Sequence, residues 1–340
     1  DESVPVLLQN NSIVTPFEAV TGMYSLPGRH DIDPTAILAP FYFLFFGLML
    51  SDAAYGLILT TLCAIILKKY KPEGTTHRMI KMFMFCGLST FMWGALFGGW
   101  FGNFFTVAAK TFFGKEFVIR PLWFDPLSEP MRLLVVSLIL GAIHLFVGMG
   151  VQAYMDIKDG RPLDALFDIG LWYLLLIGIV LFAFGGKLGA GAVGIGKIMA
   201  IVGAVGILLT GGRKKKGIFG KLTGGLGSLY GITSYLSDVL SYSRLLALGL
   251  ATGVVAQVFN TLGSLAGGGI AGSILLIVVF AFGTVFNIAI NALGAFVHSC
   301  RLQYVEFFGK FYTGGGRPFA PFERKTKYIK ILKEGNDNVK

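Results

Sequence analysis

The sequence is poor in charged residues, which make up 14% of its 340 positions. Soluble domains usually carry about 25%. Hydrophobic residues account for 54%, and the mean hydropathy is +0.70. This composition excludes a disordered chain and an ordinary soluble enzyme. Long uncharged stretches recur along the whole chain, so the sequence predicts an all-α, polytopic membrane protein.

Cysteine and catalytic motifs are also scarce. Cys63, Cys86 and Cys300 lie in apolar segments and lack the spacing of a zinc site or a disulfide framework, so we expect buried free thiols. HExxH, CxxC and GxSxG motifs do not occur. A GxGxxG pattern at 189–194 follows a predicted membrane helix rather than a strand, and an overlapping GxxxxGK pattern is followed by Ile198 instead of Ser or Thr. The sequence therefore predicts no bound cofactor and no catalytic site of the soluble type.

The net charge of +10 comes from short basic clusters between apolar blocks. Nucleic-acid binding is not expected, because these residues do not form a basic surface interleaved with aromatics. They follow the positive-inside rule, which places basic loops in the cytoplasm. The clusters are Lys68, Lys69, Lys71, Arg78 and Lys81; Arg213, Lys214, Lys215, Lys216 and Lys221; and Lys310, Arg324, Lys325, Lys327 and Lys330.

The apolar blocks predict about eight transmembrane helices. A helix needs about 20 residues to cross about 30 Å of hydrocarbon. The first block is too long for one crossing, and its polar midpoint at 51–56 predicts a hairpin of two helices. An even number of crossings then places both termini in the cytoplasm, in agreement with the basic clusters. The last two blocks exceed one upright crossing, so we expect two long, tilted helices. The blocks are 35–67, 79–107, 131–155, 166–186, 192–211, 226–262 and 271–312.

Three regions are predicted from this pattern. Residues 1–33 form a cytoplasmic lead-in. Because the chain starts at Asp1 rather than Met, we interpret it as the remnant of a missing soluble N-terminal part. Residues 34–212 form a first membrane bundle of about six helices. Residues 213–340 contain the two long helices and a cytoplasmic tail.

Polar residues within the sixth block indicate an ion path. An Arg at the centre of a bilayer costs about 2.5–3.5 kcal/mol on insertion scales, so it needs a partner or a water-filled cavity. Arg244 lies inside this block, with Asp238 nearby. Four more polar residues share its helix face at helical spacing: Ser241, Ser237, Ser234 and Tyr230.

The seventh block carries a second polar stripe. Asn287, Asn291, Gly294, His298 and Arg301 are separated by four, three, four and three residues, which places them within an arc of about 80° on one helix face. Such groups also serve as packing contacts between membrane helices, and for Asn287 both interpretations stay open.

Three other polar residues have less specific interpretations. Glu306 is expected at the cytoplasmic mouth of the path or in an ion pair with Arg301 or Lys310. Asp52 is expected in the hairpin turn, facing water or capping a helix. His144 is expected to be a hydrogen-bonded core residue.

Four motifs together resemble the a subunit, or subunit I, of V-type and archaeal or bacterial V/A-type rotary ATPases. They are SYSRLLAL at 241–248, VHSCRLQYVEF at 297–307, LMLSDAAYG at 48–56 and GGGRPF at 314–319. The last is similar to the tail of prokaryotic members. They cover the membrane half of the subunit, and the cytosolic half that contacts the stalks is absent from this sequence.

The resemblance implies a stator beside a rotating ring of small membrane subunits, each with one ion-binding carboxylate. Arg244 and Arg301 would separate two cation half-channels. Tyr230, Ser234, Ser237, Asp238 and Ser241 would line one of them, and Asn287, Asn291 and His298 the other. The implied partners are the ring, the peripheral and central stalk subunits and membrane lipid, in a bacterial or archaeal plasma membrane. ATP chemistry would lie in partner subunits.

Two positions depart from the family's eukaryotic proton pumps. Asn291 stands where they carry Glu, and Thr252 where they carry His. Neutral side chains are compatible with H⁺ or Na⁺, so both ions stay open.

Two other functions remain possible: a self-contained secondary cation transporter and a passive structural anchor. A transporter often has inverted repeats and broken helices. The break at 51–56 fits that description, but the two halves show no convincing repeat. The polar stripe argues against a purely structural anchor.

Overall fold

The computed structural model describes residues 5–28, 31–114, 117–187, 189–213, 218–265, 267, 269–319 and 322. Within them the chain is mostly helical. The α-helices are α1 (Glu18–Tyr24), α2 (Thr35–Leu50), α3 (Ala53–Tyr70), α4 (Gly74–Phe97), α5 (Phe104–Phe113), α6 (Pro130–Lys158), α7 (Pro162–Ala165), α8 (Leu171–Phe184), α9 (Ala190–Thr210), α10 (Ile218–Tyr230), α11 (Ile232–Ser241), α12 (Ser243–Ser264), α13 (Ile270–Arg301) and α14 (Phe308–Phe311). Short 3₁₀ turns cover Thr15–Phe17 and Gly185–Lys187, and π-helical turns cover Leu166–Gly170 and Leu302–Phe307.

The predicted fold class is confirmed. In the described part of the chain, seven helical segments are long and apolar enough to cross a membrane. The eighth predicted helix is α2, which is apolar but has only 16 residues. At 1.5 Å per residue it is about 24 Å long, slightly shorter than the hydrocarbon core.

The predicted break in the first block is also confirmed. Ser51 adopts a left-handed conformation, with φ of 31°, and ends α2. The Asp52 carboxylate then caps α3 by accepting hydrogen bonds from the N–H groups of Ala54 and Tyr55, at 3.0 and 3.2 Å. It also accepts from the N–H groups of Phe101 and Gly102 in the loop after α4. Asp52 is 2% exposed, and of its two expected roles the structure shows the helix cap.

Glycines allow α2 and α3 to pack closely on α4. A methyl group on Gly47 would clash with Ser89. One on Gly56 would lie 2.3 Å from the Phe91 nitrogen. This close backbone approach is typical of membrane helices.

The two long helical segments, Thr223–Ser264 and Ile270–Phe311, have 42 residues each. A straight helix of that length would measure about 63 Å, about twice the hydrocarbon thickness. Their predicted length is therefore confirmed, and their tilt stays a prediction. The first segment is interrupted at Gly231 and Tyr242, and the second contains the π-helical turn at Leu302–Phe307.

The described ends of the chain pack against each other. β1 (Pro5–Val6) pairs in parallel with β2 (Arg317–Pro318). The Tyr304 hydroxyl donates to the Val20 carbonyl at 2.6 Å, and the Tyr312 hydroxyl donates to the Ser25 carbonyl at 2.8 Å. Both ends therefore lie at one end of the bundle, as an even number of crossings requires. The predicted boundaries at 33/34 and 212/213 stay predictions. Lys214, Lys215, Lys216 and the tail cations Arg324, Lys325, Lys327 and Lys330 lie outside the described residues.

The main core lies between α2, α4, α6, α12 and the end of α13. It is rich in fully buried aromatic side chains, among them Tyr42, Phe45, Tyr242 and Phe307. The three cysteines are free and buried, as predicted.

Candidate functional site

The guanidinium of Arg244 lies at the junction of α11, α12 and the π-helical turn. Its Nη1 donates to the Ser241 hydroxyl and, at 3.2 Å, to Oε1 of Glu306. Ser241 also hydrogen-bonds to the same carboxylate oxygen. The Arg244 side chain is 27% exposed and that of Glu306 only 3%. The interpretation that Glu306 pairs with Arg301 or Lys310 is therefore wrong, because its ion-pair partner among the described residues is Arg244. Its position at the cytoplasmic mouth of the path stays a prediction.

The π-helical turn explains why sequence spacing did not reveal this pair. A π-helical turn holds an extra residue, and such turns often occur at functional sites. It shifts the residues after Arg301 relative to a regular helix. Glu306 then lies on the buried face with Leu302 and Phe307.

Lys310 and Asp238 form a second ion pair close to the first. Lys310 Nζ lies 2.5 Å from Asp238 Oδ2 and 4.3 Å from the centre of the Tyr235 ring. Both side chains of the pair are less than one quarter exposed. Asp238 is therefore neutralised by Lys310 rather than by Arg244.

The remaining residues of the first predicted set lie at the surface. Ser234 and Ser237 on α11 and Tyr230 at the end of α10 are exposed, Tyr230 by 76%. The interruptions at Gly231 and Tyr242 place Tyr230 on α10, Ser234 and Ser237 on α11, and Arg244 on α12. The spacing predicted that these residues share one face of a single straight helix with Arg244, and the interruptions break that helix.

Tyr242, which sequence reasoning missed, faces the core instead. It is fully buried, and its hydroxyl lies 2.7 Å from Nδ1 of His144 on α6. The interpretation of His144 as a hydrogen-bonded core residue is thereby confirmed.

The two asparagines of the second stripe belong to one buried network. The Asn287 amide donates to the Tyr55 hydroxyl and to the Thr252 carbonyl, both at 3.0 Å. The Asn291 amide donates to the Asn287 carbonyl at 3.1 Å and also bonds to the Asn287 side chain. Asn287 is fully buried and Asn291 is 7% exposed. They connect α13 to α3 and α12.

The charged and titratable residues of this stripe, His298 and Arg301, do not lie on the buried face. The buried positions continue through Ala295 and Ser299, whereas His298 is half-buried and Arg301 is exposed. His298 Nδ1 has no hydrogen-bond partner among the described residues. The five stripe residues therefore do not line a single surface.

Arg301 lies on an apolar helix face. Its neighbours at helical spacing are exposed apolar side chains: Leu293 by 63%, Val297 by 49% and Val305 by 58%. Within the described part of the chain, Arg301 has neither an ion-pair nor a hydrogen-bond partner. It is thus a cation on an apolar surface that the described residues leave uncovered.

Two cavities whose walls include polar side chains lie toward opposite ends of the bundle, on either side of Arg244. One of about 230 Å³ is lined by Ser51, Asp52, Asn103, Gly253 and Gln257. The other, of about 450 Å³, is lined by Gln152, Asp156, Asp168, Tyr235 and Lys310. Sequence reasoning missed both. Gln257 could have been noticed, since an amide inside an apolar helix is the same signal that identified Asn287.

Comparison with known proteins gives a consistent result. Residues 232–324 match the V-type ATPase 116 kDa subunit family. The chain is 36% identical over 359 aligned residues to the A-type ATP synthase subunit I of Methanocaldococcus jannaschii, with 96% of the chain and 50% of that protein covered. It is 38% identical to that of Pyrococcus abyssi, covering 97% of the chain and 49% of the relative. It is 23% identical to the V-type ATP synthase subunit I of Chlamydia trachomatis, covering 95% and 56%. The chain spans about half the length of these curated relatives.

Proposed function

The chain belongs to the V-type ATPase 116 kDa subunit family, and on that premise we propose that it is the membrane part of a rotary ATPase stator. In this proposal it faces a rotating ring of small membrane subunits, each with an ion-binding carboxylate. It couples ATP hydrolysis or synthesis in partner subunits to the translocation of H⁺ or Na⁺. Peripheral and central stalk subunits would bind the rest of the protein. Both termini would be cytoplasmic, in a bacterial or archaeal plasma membrane.

The observation that carries the proposal is the exposed Arg301. A lipid-facing Arg in the membrane is costly on every scale, and this one has no partner in the described part of the chain. A ring subunit that brings a carboxylate to this apolar face would supply both the apolar cover and the missing anion. Since a guanidinium does not lose its proton, Arg301 would favour the ionised carboxylate and so release the bound cation.

Arg244 would act with Arg301 as the barrier between two half-channels. A fixed cation at this position repels cations that would otherwise pass directly from one cavity to the other. The two cavities, at opposite ends of the bundle, are the candidate entrances.

The lining residues are proposed from their positions. The Tyr235–Lys310 cavity adjoins α11, so Ser234, Ser237, Asp238 and Ser241, with Tyr230 just before them, would line the path on that side. Asn287, Asn291 and His298 would line the other. Asn291 and Thr252 are neutral, which is compatible with either ion, and the ring sequence should decide between them.

The test is ATP-driven cation uptake into inverted vesicles that contain the whole complex. Arg301→Ala should assemble normally, because Arg301 has no partner to lose within the described chain, and should abolish uptake. Arg132→Ala is the matched control, since Arg132 is an exposed arginine whose one ion-pair partner among the described residues is Glu129. A protonophore distinguishes H⁺ from Na⁺ transport. Normal uptake in Arg301→Ala, or uptake that needs no ATP, would contradict the proposal and favour a secondary transporter.

A further inference from the structure

Resting on the proposed function, we propose that Glu306 is a positioning residue for Arg244. Its buried carboxylate acts as an internal counter-ion that competes with each passing ring carboxylate for the same guanidinium. Arg244 would thus exchange between two anions, one fixed within the stator and one carried by the ring. The proposal follows from three features of the Arg244 junction.

The first feature is the isolation of Glu306. Its side chain is 3% exposed, and Arg244 is its cationic partner in the described chain. Its second oxygen, Oε2, is buried without a hydrogen-bond partner among the described residues. A buried charge that loses its partner is strongly destabilised, far more than an exposed one. The buried charge of Glu306 is therefore stabilised mainly by Arg244.

The second feature is the asymmetry of the pair. Arg244 is 27% exposed, so its guanidinium can be reached from outside the chain, whereas Glu306 cannot. Only the arginine can therefore contact a partner subunit. When it does, Glu306 retains the hydroxyl of Ser241, which already bonds to it.

The third feature is the set of neighbouring groups. Asp238 is already bound to Lys310 at 2.5 Å, and Tyr242 to His144 at 2.7 Å. These titratable groups surround the junction, but none forms an ion pair with Glu306 or Arg244. Glu306 is thus the anion that competes with the ring carboxylate for binding to the Arg244 guanidinium.

Competition has a direct consequence for the transported cation. The ring carboxylate must leave the arginine to bind a cation again, and Glu306 assists by taking the guanidinium back. Without Glu306, Arg244 would hold the ring carboxylate more tightly. A higher cation concentration would then be needed to displace it.

The test is ATP-driven uptake by the whole complex in inverted vesicles, measured against Na⁺ concentration and against pH. Glu306→Gln preserves the size of the side chain and an oxygen for Ser241. We expect the half-saturating concentration of the transported cation to rise on the order of fivefold, the low end of typical coupling between sites. Glu306→Asp, which keeps the negative charge, should restore most of the original value.

A control separates positioning from stability. Glu18→Gln removes the acid of another ion pair, in which the buried Glu18 meets the half-exposed Arg78 at 3.0 Å and which does not include Arg244. It should reduce the amount of assembled complex without changing the half-saturating concentration. If Glu306→Gln behaves in the same way, Glu306 is structural and the inference is overturned. If Arg301→Ala also leaves uptake intact, the stator proposal itself fails.

Discussion

Replacing the Asp52 carboxylate should lower the free energy of unfolding. It accepts hydrogen bonds from four backbone N–H groups, those of Ala54 and Tyr55 in α3 and of Phe101 and Gly102 in the loop after α4, at 2.9–3.2 Å. In Asp52→Asn, the remaining oxygen can still accept three of them. The new amide nitrogen faces the N–H of Gly102, which Oδ2 accepts in the native protein. Losing one charged hydrogen bond and leaving the half-buried N–H of Gly102 unpaired should cost about 2–3 kcal/mol.

Asp52→Ala should cost more. It removes the N-cap of α3, worth about 1–2 kcal/mol, and leaves two loop donors unpaired at about 1–3 kcal/mol each. The assay is the free energy of unfolding of the purified chain by titration with a denaturing detergent. Asp125→Asn is the control, because the Asp125 side chain accepts a single backbone N–H, that of Leu127, and Asn can accept it equally. Equal or higher stability of Asp52→Asn would refute the reasoning, since the desolvation of the carboxylate would then outweigh its four bonds.

Two further predictions concern the helix contacts. Asn287→Leu removes the hydrogen bonds to the Tyr55 hydroxyl and the Thr252 carbonyl. It should therefore destabilise the chain by about 1–2 kcal/mol, the scale of membrane hydrogen bonds, and slow cation uptake without abolishing it. Unchanged stability and an unchanged uptake rate would contradict a role for this network. Gly56→Ala should separate α3 from α4 and cost about 1–3 kcal/mol, measured by detergent unfolding. Gly22→Ala, where a methyl group meets nothing within 4 Å, should be neutral; equal effects of both substitutions would show that α3 and α4 do not approach so closely.

Features that depend on local sequence could be predicted. The break between α2 and α3 follows from a polar Ser-Asp pair in an apolar run, because Ser51 can adopt a left-handed turn and Asp52 can cap the next helix. The helical fold class and the length of the last two segments follow from hydrophobic runs. The burial of the cysteines follows from their apolar surroundings.

Features that depend on an irregular backbone could not be predicted from the sequence. The pairing of Arg244 with Glu306 requires the π-helical turn and the interruption at Tyr242. Ideal 100° spacing predicts neither. The same interruption directs Tyr242 to His144 and leaves Ser237 exposed. The stripe on α13 divides for a different reason. The helix is unbroken from Ile270 to Arg301, but Asn287 and Arg301 meet different neighbours.

The central claim is that the α13 face carrying Arg301 touches the ring, and cross-linking tests it most directly. A cysteine at Val297 or Val305, on either side of Arg301, should cross-link to a small ring subunit in the assembled complex. The native cysteines are buried and provide a low background. A cysteine at Val202 on α9, which is exposed to a similar extent at 51%, should not cross-link. Equal ring cross-linking at Val202, or none at Val297 and Val305, would contradict the account.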